Sequence, residues 1–551
     1  MPDRGEGLAV WARRWRDDLL LVAAALLPLV LFVTRERQIA GASGFPLDDS
    51  WIHLHFARNL AAGAGFSFNP GTPVAGSTAP LWTLLLAAGA VVASPSLGMA
   101  KALGIVATLG AALLTRRAAL AWGARPDVAL VAAVALVWMG PVAWGALSGM
   151  EVSLAALLVA AALLAHARDR LLASAACAAL AILARPEAFL LVPLLIAARP
   201  VTVRRVATFA IVTIAAVAPA ALFSLSTAGT WYPTTAAAKV EGGLVGWLGG
   251  VSEPAALTWV RRPYAFLTEW IIWLATTHWL LPVALVPGLV LTWRHAGRAL
   301  GLVALALLAH PLGMALLAPY RGPAFQEGRY SIHLLPLVVV TLAVALGGWG
   351  RRGGGLPPER LRHPLARTQR FALRAGLGGP TPPLEGQPAL APSAPPAPRG
   401  NAWVGLSAMV VWLAISVGAL VPAATRYGWG VQNINAMQVH LGRWVDAQLP
   451  KTARIAVNDI GAIAYFSRRE VIDLMGLVTP EIIPYRRRGE PGVMRYLTEA
   501  CPEYVIIFPK WFPRLASSTD TLRPVYRVRL ERNEVAGAEE MVVYRLARCA
   551  V

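Results

Sequence analysis

Charge is scarce in this chain. Only 15% of its 551 residues are Asp, Glu, Lys or Arg, against roughly 25% in a soluble globular domain, which excludes a wholly soluble protein. Cysteine is scarcer still, with three in the whole chain, too few for a disulfide framework. Cys177 lies inside an apolar run and reads as inert, whereas Cys501 and Cys549 sit near the C-terminus, where pairing needs an oxidising compartment that spacing alone does not establish. The N-terminal pattern does not predict a cleavable leader. The first apolar run, 19–33, follows Arg13, Arg14 and Arg16, but no small-residue cleavage pattern comes after it. It reads as a signal anchor with a cytoplasmic N-terminus.

What the chain does have is apolar length. It is 56% hydrophobic with a mean hydropathy of +0.55. Runs long enough to span a bilayer, or nearly so, occupy 18–34, 98–115, 127–147, 150–166, 205–226, 279–293, 299–318, 331–349 and 401–424. The stretch 170–198 is interrupted by Arg185-Pro186-Glu187 and reads as two short helices meeting at a kink, for about eleven spans. The net charge of +20 and pI near 10.8 do not point to nucleic acid, because the basic residues sit in short loops where they set topology. The positive-inside rule puts Arg116, Arg117 and Arg125, Arg168 and Arg170, Arg199, Arg204 and Arg205, Arg294 and Arg298, and Arg351 and Arg352 in the cytoplasm. Residues 35–97, 148–151, 185–187, 227–278, 319–330 and everything after 425 then face outward. The alternation closes if the run 81–94 lies in the interface or re-enters instead of crossing. The expectation is a polytopic α-helical protein of a bacterial plasma membrane, with its C-terminal domain outside.

Four regions follow: a transmembrane module over 1–350, a disordered basic cytoplasmic loop over 351–400, a last span within 401–427, and a soluble α/β domain over 428–551. The loop carries eight arginines against two glutamates among many Gly and Pro residues, a composition that stays solvated and touches anionic headgroups. The last region alternates helix and strand: a helix at 435–449, strands at 454–457 and 471–474, a helix at 493–500, a strand at 504–508, and an antiparallel pair from 526–531 and 541–546. It contains no GxGxxG, P-loop, nucleophile elbow or metal-ligand spacing. A glycan-binding or structural role is its default.

Potential chemistry concentrates in one polar island, 46–83, just after the first span. Asp48 and Asp49 open it, and Ile52, Phe56 and Leu60 then fall at i, i+4 and i+8 on one apolar stripe. Trp51, His55 and Arg58 share a neighbouring face, and Gly63, Gly65 and Asn69-Pro70-Gly71 end the helix and reverse the chain. This predicts an amphipathic helix in the membrane interface with a carboxylate pair at its start. An aspartate there is a good N-cap, and a second acid suits the helix dipole. One acid suffices for a cap, so the pair also reads as a general base or as part of a site for a divalent cation such as Mg or Mn.

The topology brings further polar residues to the outer face: His53, Glu151, Arg185, Glu187, Lys239, Arg321, Glu327, Arg329 and Tyr330. Ionisable groups at membrane depth are costly unless paired or wet. Arg185 and Glu187 pair plausibly at the helix break; Glu151 suits a helix start; Arg329 and Tyr330 suit an interface anchor and belt. His53 reads as packing and His55, beside Arg58, as the better candidate. Together the charges make a cavity at headgroup depth, suited to a phosphate on a lipid tail. Cations would hold the phosphate and a carboxylate would accept a proton from an incoming hydroxyl.

The segment DDSWIHLHFARNLAAGAGFSFNPGTPVAGSTAPLW resembles the first-loop signature of GT-C membrane glycosyltransferases, most of all the branch containing the mycobacterial terminal arabinofuranosyltransferases. The resemblance continues in SGMEVSLAALL (148–158), ARPEAFLL (184–191), GTWYPTTAAAK (229–239), EGRYSIHLLP (327–336) and NDIGAIAYFSRREVIDLMGLVTPEI (458–482). It implies a sugar transfer from a polyprenyl-phosphate donor to a cell-envelope glycan, lipid or protein. Asp48 and Asp49 match the acid pair holding the expected catalytic base, and Arg58, Lys239, Arg329 and Tyr330 match positions facing the donor phosphate; His55, Glu151 and Arg185 join them as binding candidates. The chain departs from the family's "N-P-G-E-x-V-E-G-Y-T" at NPGTPVAGST and from its "P-N-T" at Pro233-Thr234-Thr235. Both touch substrate contacts, so sugar and acceptor do not carry over, and inversion or retention stays open.

Two other classes compete. A flippase for lipid-linked sugars would line a pathway with the same charges, but no inverted repeat is visible. A non-catalytic glycan-binding protein would explain the C-terminal region and leave the acid pair without a role.

Overall fold

The computed structural model describes residues 4–547, apart from 240–241, 249, 252, 318 and 348–401. The basic 351–400 segment and Cys549 lie outside these described residues. Cys501 is disulfide-bonded and Cys177 is free.

Six helices among the described residues are long and apolar enough to cross a membrane, or seven if the bent pair Pro126–Val137 and Gly140–Leu147 is one span. The expected eleven included Val152–Ala167, Leu171–Ala184 and Pro186–Ala197, which are apolar but shorter, and divided Leu281–Leu317 in two. That division has a physical counterpart at Gly297, whose φ of 62° and ψ of −160° break the helix. The run after Pro80 is shorter than a crossing helix needs to be. It has 9 α-helical residues and a 3-residue 3-10 turn, roughly 18 Å of rise against a hydrocarbon core of about 30 Å. A further helix, Arg262–Thr277, lies in the stretch 227–278, expected to face outward and given no element from the sequence. Its buried face carries Phe266, Trp270 and Trp273, while Ile271 and Ile272 are exposed.

Small residues let the bundle close. Leu97–Ala121 packs on Val152–Ala167 through Ala100, Ala107 and Ala111, and a Cβ at Gly104 would overlap the Ala146 carbonyl. Lys101 on this helix meets Glu36 of the first helix at 2.6 Å, a buried pair that Ser43 also contacts.

The helix Ala402–Ile434 runs on through a π turn, Asn435–Val439, into His440–Gln448. A five-stranded sheet follows: β1 (Arg454–Val457), β2 (Glu470–Asp473), β3 (Tyr504–Ile507), β4 (Leu522–Arg529) and β5 (Glu540–Leu546). The order is β2-β1-β3-β5-β4, parallel where β1 meets β2 and β3, and antiparallel where β5 meets β3 and β4. Leu441 and Val445 cover one face of the sheet, and Val493 and Leu497 cover the other. This is the α/β layer the strand–helix alternation predicts.

The helix Asp49–Ala61 differs from the expected interfacial helix. It is buried on all sides, because the C-terminal α/β layer covers the face that a free interfacial helix would show to headgroups. Trp51 packs against Tyr465 and Phe466, and Phe56 joins the cluster of Met437, Leu441 and Val478.

Candidate functional site

Asp48 and Asp49 are consecutive, yet the fold sends them to different partners. The two Asp48 carboxylate oxygens accept the backbone N–H groups of Gly461 at 2.6 Å and Ala462 at 2.7 Å, the free donors at the start of the helix Gly461–Ser467. Only glycine allows this approach, since a Cβ at Gly461 would overlap the Asp48 carbonyl oxygen. Burial pushes the Asp48 carboxyl up to about 6, opposed by the two N–H donors and assisted by the Asp49 charge. Asp459, on the same turn, hydrogen-bonds Asp48 through its own carboxyl and accepts Gln438 Nε2 at 2.7 Å. Burial and the Asp48 charge raise Asp459 well above the carboxylate range, so it carries the shared proton.

Asp49 instead faces open space. Its Oδ2 lies 2.5 Å from Arg329 Nη1, and the side chain is 31% exposed. Burial alone would raise its carboxyl, but the charges of Arg329 and Lys239 overcome that and hold it at about 2. Arg329 Nη2 reaches the Tyr330 hydroxyl at 3.1 Å, and the Tyr330 ring lies beneath Arg185 at 4.6 Å. Arg185 is held on both sides, by Glu151 at 2.6 Å and by both oxygens of Glu187 at 3.0 and 3.1 Å. Glu151 then meets His53 Nε2 at 3.3 Å. Fixed charges so arranged cost no reorganisation when an ionic substrate arrives.

This chain of contacts walls a cavity of about 180 Å³, lined among others by Asp49, His53, Arg185, Lys239, Arg321 and Arg329. A second chamber of about 570 Å³ adjoins it and shares Asp49, Lys239, Arg321 and Arg329, while its far wall comes from the C-terminal layer. Among the described residues neither Lys239 nor Arg321 has a carboxylate partner; Lys239 lies over the Tyr320 ring at 5.5 Å and Arg321 at 5.3 Å. Two cations with no described carboxylate at ion-pair distance, in a part-enclosed cavity, make it a place for an anion. On the membrane side, Ser77 also lines an apolar groove of about 390 Å³ beside Leu84, Leu183, Pro219 and Phe223.

Of the sequence candidates, Asp49, Arg185, Lys239, Arg329 and Tyr330 line this cavity, Glu151 buttresses it, and Asp48 lines the second chamber. His55 and Arg58 lie elsewhere. His55 Nε2 meets the Phe68 carbonyl and Nδ1 meets Arg58, which also donates to the Tyr465 carbonyl and lies over that ring. Burial and then the Arg58 charge push the His55 imidazole down to about 3, so it is neutral. His53, read as packing, faces the cavity. Asn458 and Asp459 were not read as site residues, although they open the 458–482 segment that carries part of the resemblance.

The acid pair does not suit a divalent cation. Both Asp48 oxygens already accept backbone donors, and Asp49 faces Arg329 and Lys239, so a cation would meet donors and like charge where it needs free oxygens. Among the described residues no group of three or more His, Cys, Asp or Glu side chains gathers to hold a metal.

The same architecture occurs in ArnT from Cupriavidus metallidurans, which overlays at a TM-score of 0.57 with 14% identity, covering 97% of this chain and 98% of that one. The chain has the GT-C fold. ArnT bound to undecaprenyl phosphate overlays at 0.56, with 13% identity over 96% and 97% of the two chains. AglB, the oligosaccharyltransferase from Archaeoglobus fulgidus, in complex with an inhibitory peptide and a dolichol-phosphate, overlays at 0.52, with 11% identity over 88% of this chain and 69% of its own. The arabinofuranosyltransferase AftD from Mycobacteria matches at only 0.40, with 16% identity over 97% and 40%, too loosely to bear on the sugar. In the C-terminal layer, residues 432–544 match a family described as a domain of unknown function, DUF8728. No curated protein matches the chain in sequence.

Proposed function

We propose that this chain is a membrane glycosyltransferase that moves a sugar from a polyprenyl-phosphate donor to a hydroxyl-bearing acceptor of the cell envelope. One observation carries the reading: the Asp49–Arg329 pair stands on the wall shared by an anion-demanding cavity and a second polar chamber, with an apolar groove entering from the membrane side. The donor phosphate meets Arg329, Lys239 and Arg321, and its isoprenoid tail lies in the groove. The acceptor arrives from the second chamber. Asp49 takes the proton of the acceptor hydroxyl while that oxygen bonds to the sugar C1. The C1–O bond to phosphate breaks, and its electron pair leaves on the phosphate, where the cations stabilise it.

Asp49 at about 2 is a weak base in the empty site. Phosphate bound to Arg329 and Lys239 cancels the two charges that depress it, so its pKa climbs as the donor binds. The base is therefore armed by the substrate it serves. ArnT with undecaprenyl phosphate and AglB with dolichol-phosphate supply the precedent of lipid phosphates in this fold. The positive-inside pattern and the disulfide at Cys501 support an outward-facing C-terminal layer.

The test uses membranes carrying wild type, Asp48→Asn or Asp49→Asn at matched expression, supplied with a radiolabelled polyprenyl-phosphate-sugar panel and envelope acceptors. Transfer by wild type that vanishes in Asp49→Asn while lipid binding persists supports the proposal. Undiminished transfer in both variants removes the acids from the chemistry. Labelled lipid crossing the bilayer with no transfer from any donor favours a flippase.

A further inference from the structure

We infer that the recess where helix Gly461–Ser467 meets helix Asp49–Ala61 holds the headgroup of an anionic membrane phospholipid, which fastens the C-terminal layer to the bilayer. The inference is independent of the transferase reading, and it gives a binding role to Arg58, which lies away from the reaction cavity. The recess measures about 580 Å³, and Arg58, Arg468, Tyr465, Phe466, Ser94 and Pro95 are among the residues that line it. Among the described residues no acid lines it.

Its charge is of one sign. Arg58 is half-buried, Arg468 is exposed, and beside them Arg443, also exposed, lies over the Phe466 ring at 5.1 Å. None of the three has a described carboxylate at ion-pair distance. A basic side chain near a helix C-terminus suits the macrodipole. Arg58 already fills that role for helix Gly461–Ser467, donating through Nη1 to the Tyr465 carbonyl at 2.8 Å. Arg468 is a second cation at the same helix end, held at a φ of 55°, where glycine is the usual occupant. The two charges oppose each other. Burial lowers the Arg58 guanidinium, Tyr465 counters that, and the Arg468 charge lowers it further. A phosphodiester between them relieves the repulsion and accepts guanidinium hydrogen bonds.

The surroundings select a lipid over a soluble anion. Ser94 and Pro95 come immediately before Leu97–Ala121, a helix long and apolar enough to cross a membrane, so the recess opens at headgroup depth. Next to Ala90 on its wall stand Val91 and Val92, which are 92% and 91% exposed. A soluble phosphate would leave both in water, whereas acyl chains below a bound headgroup cover them. Apolar tips under a basic rim are the pattern of interfacial lipid binding. The Tyr465 hydroxyl donates to the Pro95 carbonyl at 3.3 Å, and Arg58 lies over the Tyr465 ring at 4.5 Å, so the headgroup extends a seam that already joins layer and membrane segment. The same helix grips Asp48 with its first N–H groups and carries Arg468 at its other end, roughly 10 Å away.

The experiment titrates the full chain in detergent with phosphatidylglycerol or phosphatidylcholine, reading bound lipid by native mass spectrometry. Melting temperatures are taken in phosphatidylcholine nanodiscs with and without phosphatidylglycerol. The variants are Arg468→Gln, Arg443→Gln, the two combined, and Arg523→Gln as a control, an exposed arginine on β4 with no described carboxylate partner. Wild type should prefer phosphatidylglycerol, and each recess variant should lose about fivefold in affinity for it, with Arg523→Gln unchanged. Phosphatidylglycerol should raise the wild-type melting temperature and leave that of the double variant where it is. In phosphatidylcholine alone all variants should melt with wild type. Equal affinity for the two lipids, full phosphatidylglycerol binding by the double variant, or an equal loss in Arg523→Gln overturns the inference. So does a double variant that melts lower in pure phosphatidylcholine, which assigns the arginines to the fold. Glycerophosphoglycerol, the same headgroup without acyl chains, should compete at least about a hundredfold less well; competition equal to the lipid's marks a soluble-anion site and overturns the lipid assignment.

Discussion

Asp49→Asn should move donor binding and sugar transfer in opposite directions. Arg329 Nη1 sits 2.5 Å from Asp49 Oδ2, so an arriving phosphate must take the guanidinium from a carboxylate that already holds it. A hydrogen bond to a charged group contributes about 1.5–3 kcal/mol net, equivalent to about 10- to 100-fold in affinity. Asp49 is partly exposed to the cavity, which screens the pair, so the lower end applies and the neutral amide should tighten undecaprenyl phosphate binding by about tenfold. The same change removes the proton acceptor and should slow transfer by about 10²–10⁴. Equilibrium binding of labelled undecaprenyl phosphate to nanodisc-embedded protein reads the first quantity, and turnover of a polyprenyl-phosphate sugar reads the second. Lipid binding that weakens or stays level would refute the competition between carboxylate and phosphate for Arg329. Lysine 239 offers an internal comparison: Lys239→Gln removes a cation with no carboxylate partner among the described residues, and should weaken the lipid without any compensating gain.

Gly461→Ala places a methyl group against the Asp48 carbonyl; the apparent melting temperature should drop by several degrees, and an unchanged melt would sink the docking role of this contact. The Asp48 carboxyl is raised from 3.8 to about 6, so its contribution to stability is complete below pH 3.8 and is lost as pH climbs through 6. Wild type should therefore melt lower at pH 8 than at pH 5. Asp459→Asn, whose amide donates to Asp48 without a second charge, should flatten that slope, and an equally steep slope in the variant would contradict the shared proton. His55→Ala should lower the melting temperature and leave donor KM alone, whereas His53→Ala should raise donor KM; equal effects on KM would erase the distinction between the two histidines.

Hydropathy located the long apolar helices, though not their number, because a bilayer enforces length and apolarity in each crossing segment without reference to any other. The cations at Lys239 and Arg329 were legible for the same reason, since charge at membrane depth stands out against an apolar background. Helix Arg262–Thr277 escaped because Arg261, Arg262 and Glu269 interrupt its hydropathy, although its Trp270 and Trp273 are deeply buried. His53 and His55 were sorted by a helical stripe that presumes one wet face. The C-terminal layer abolishes that face, so His53 faces the cavity and His55 is buried against the Phe68 carbonyl and Arg58. Nor does any local pattern reveal that Asp48 meets a glycine 413 positions away. Contacts of that separation are decided by how two finished pieces dock, and the residues on either side carry little trace of it.

Asp48 and Asp49 share one peptide bond but belong to different parts of the machine. The first is gripped by the C-terminal layer, and the second stands where the sugar is proposed to change hands. A peptide unit is stiff, so a shift of the layer that moves Asp48 must drag Asp49 with it. Misplacement of about 1 Å at a reacting group can cost a hundredfold in rate. The C-terminal layer is therefore also a gauge that sets the height of the neighbouring carboxylate. Exchanging it for a layer from another chain would require the substitute to hold that one aspartate in the same place.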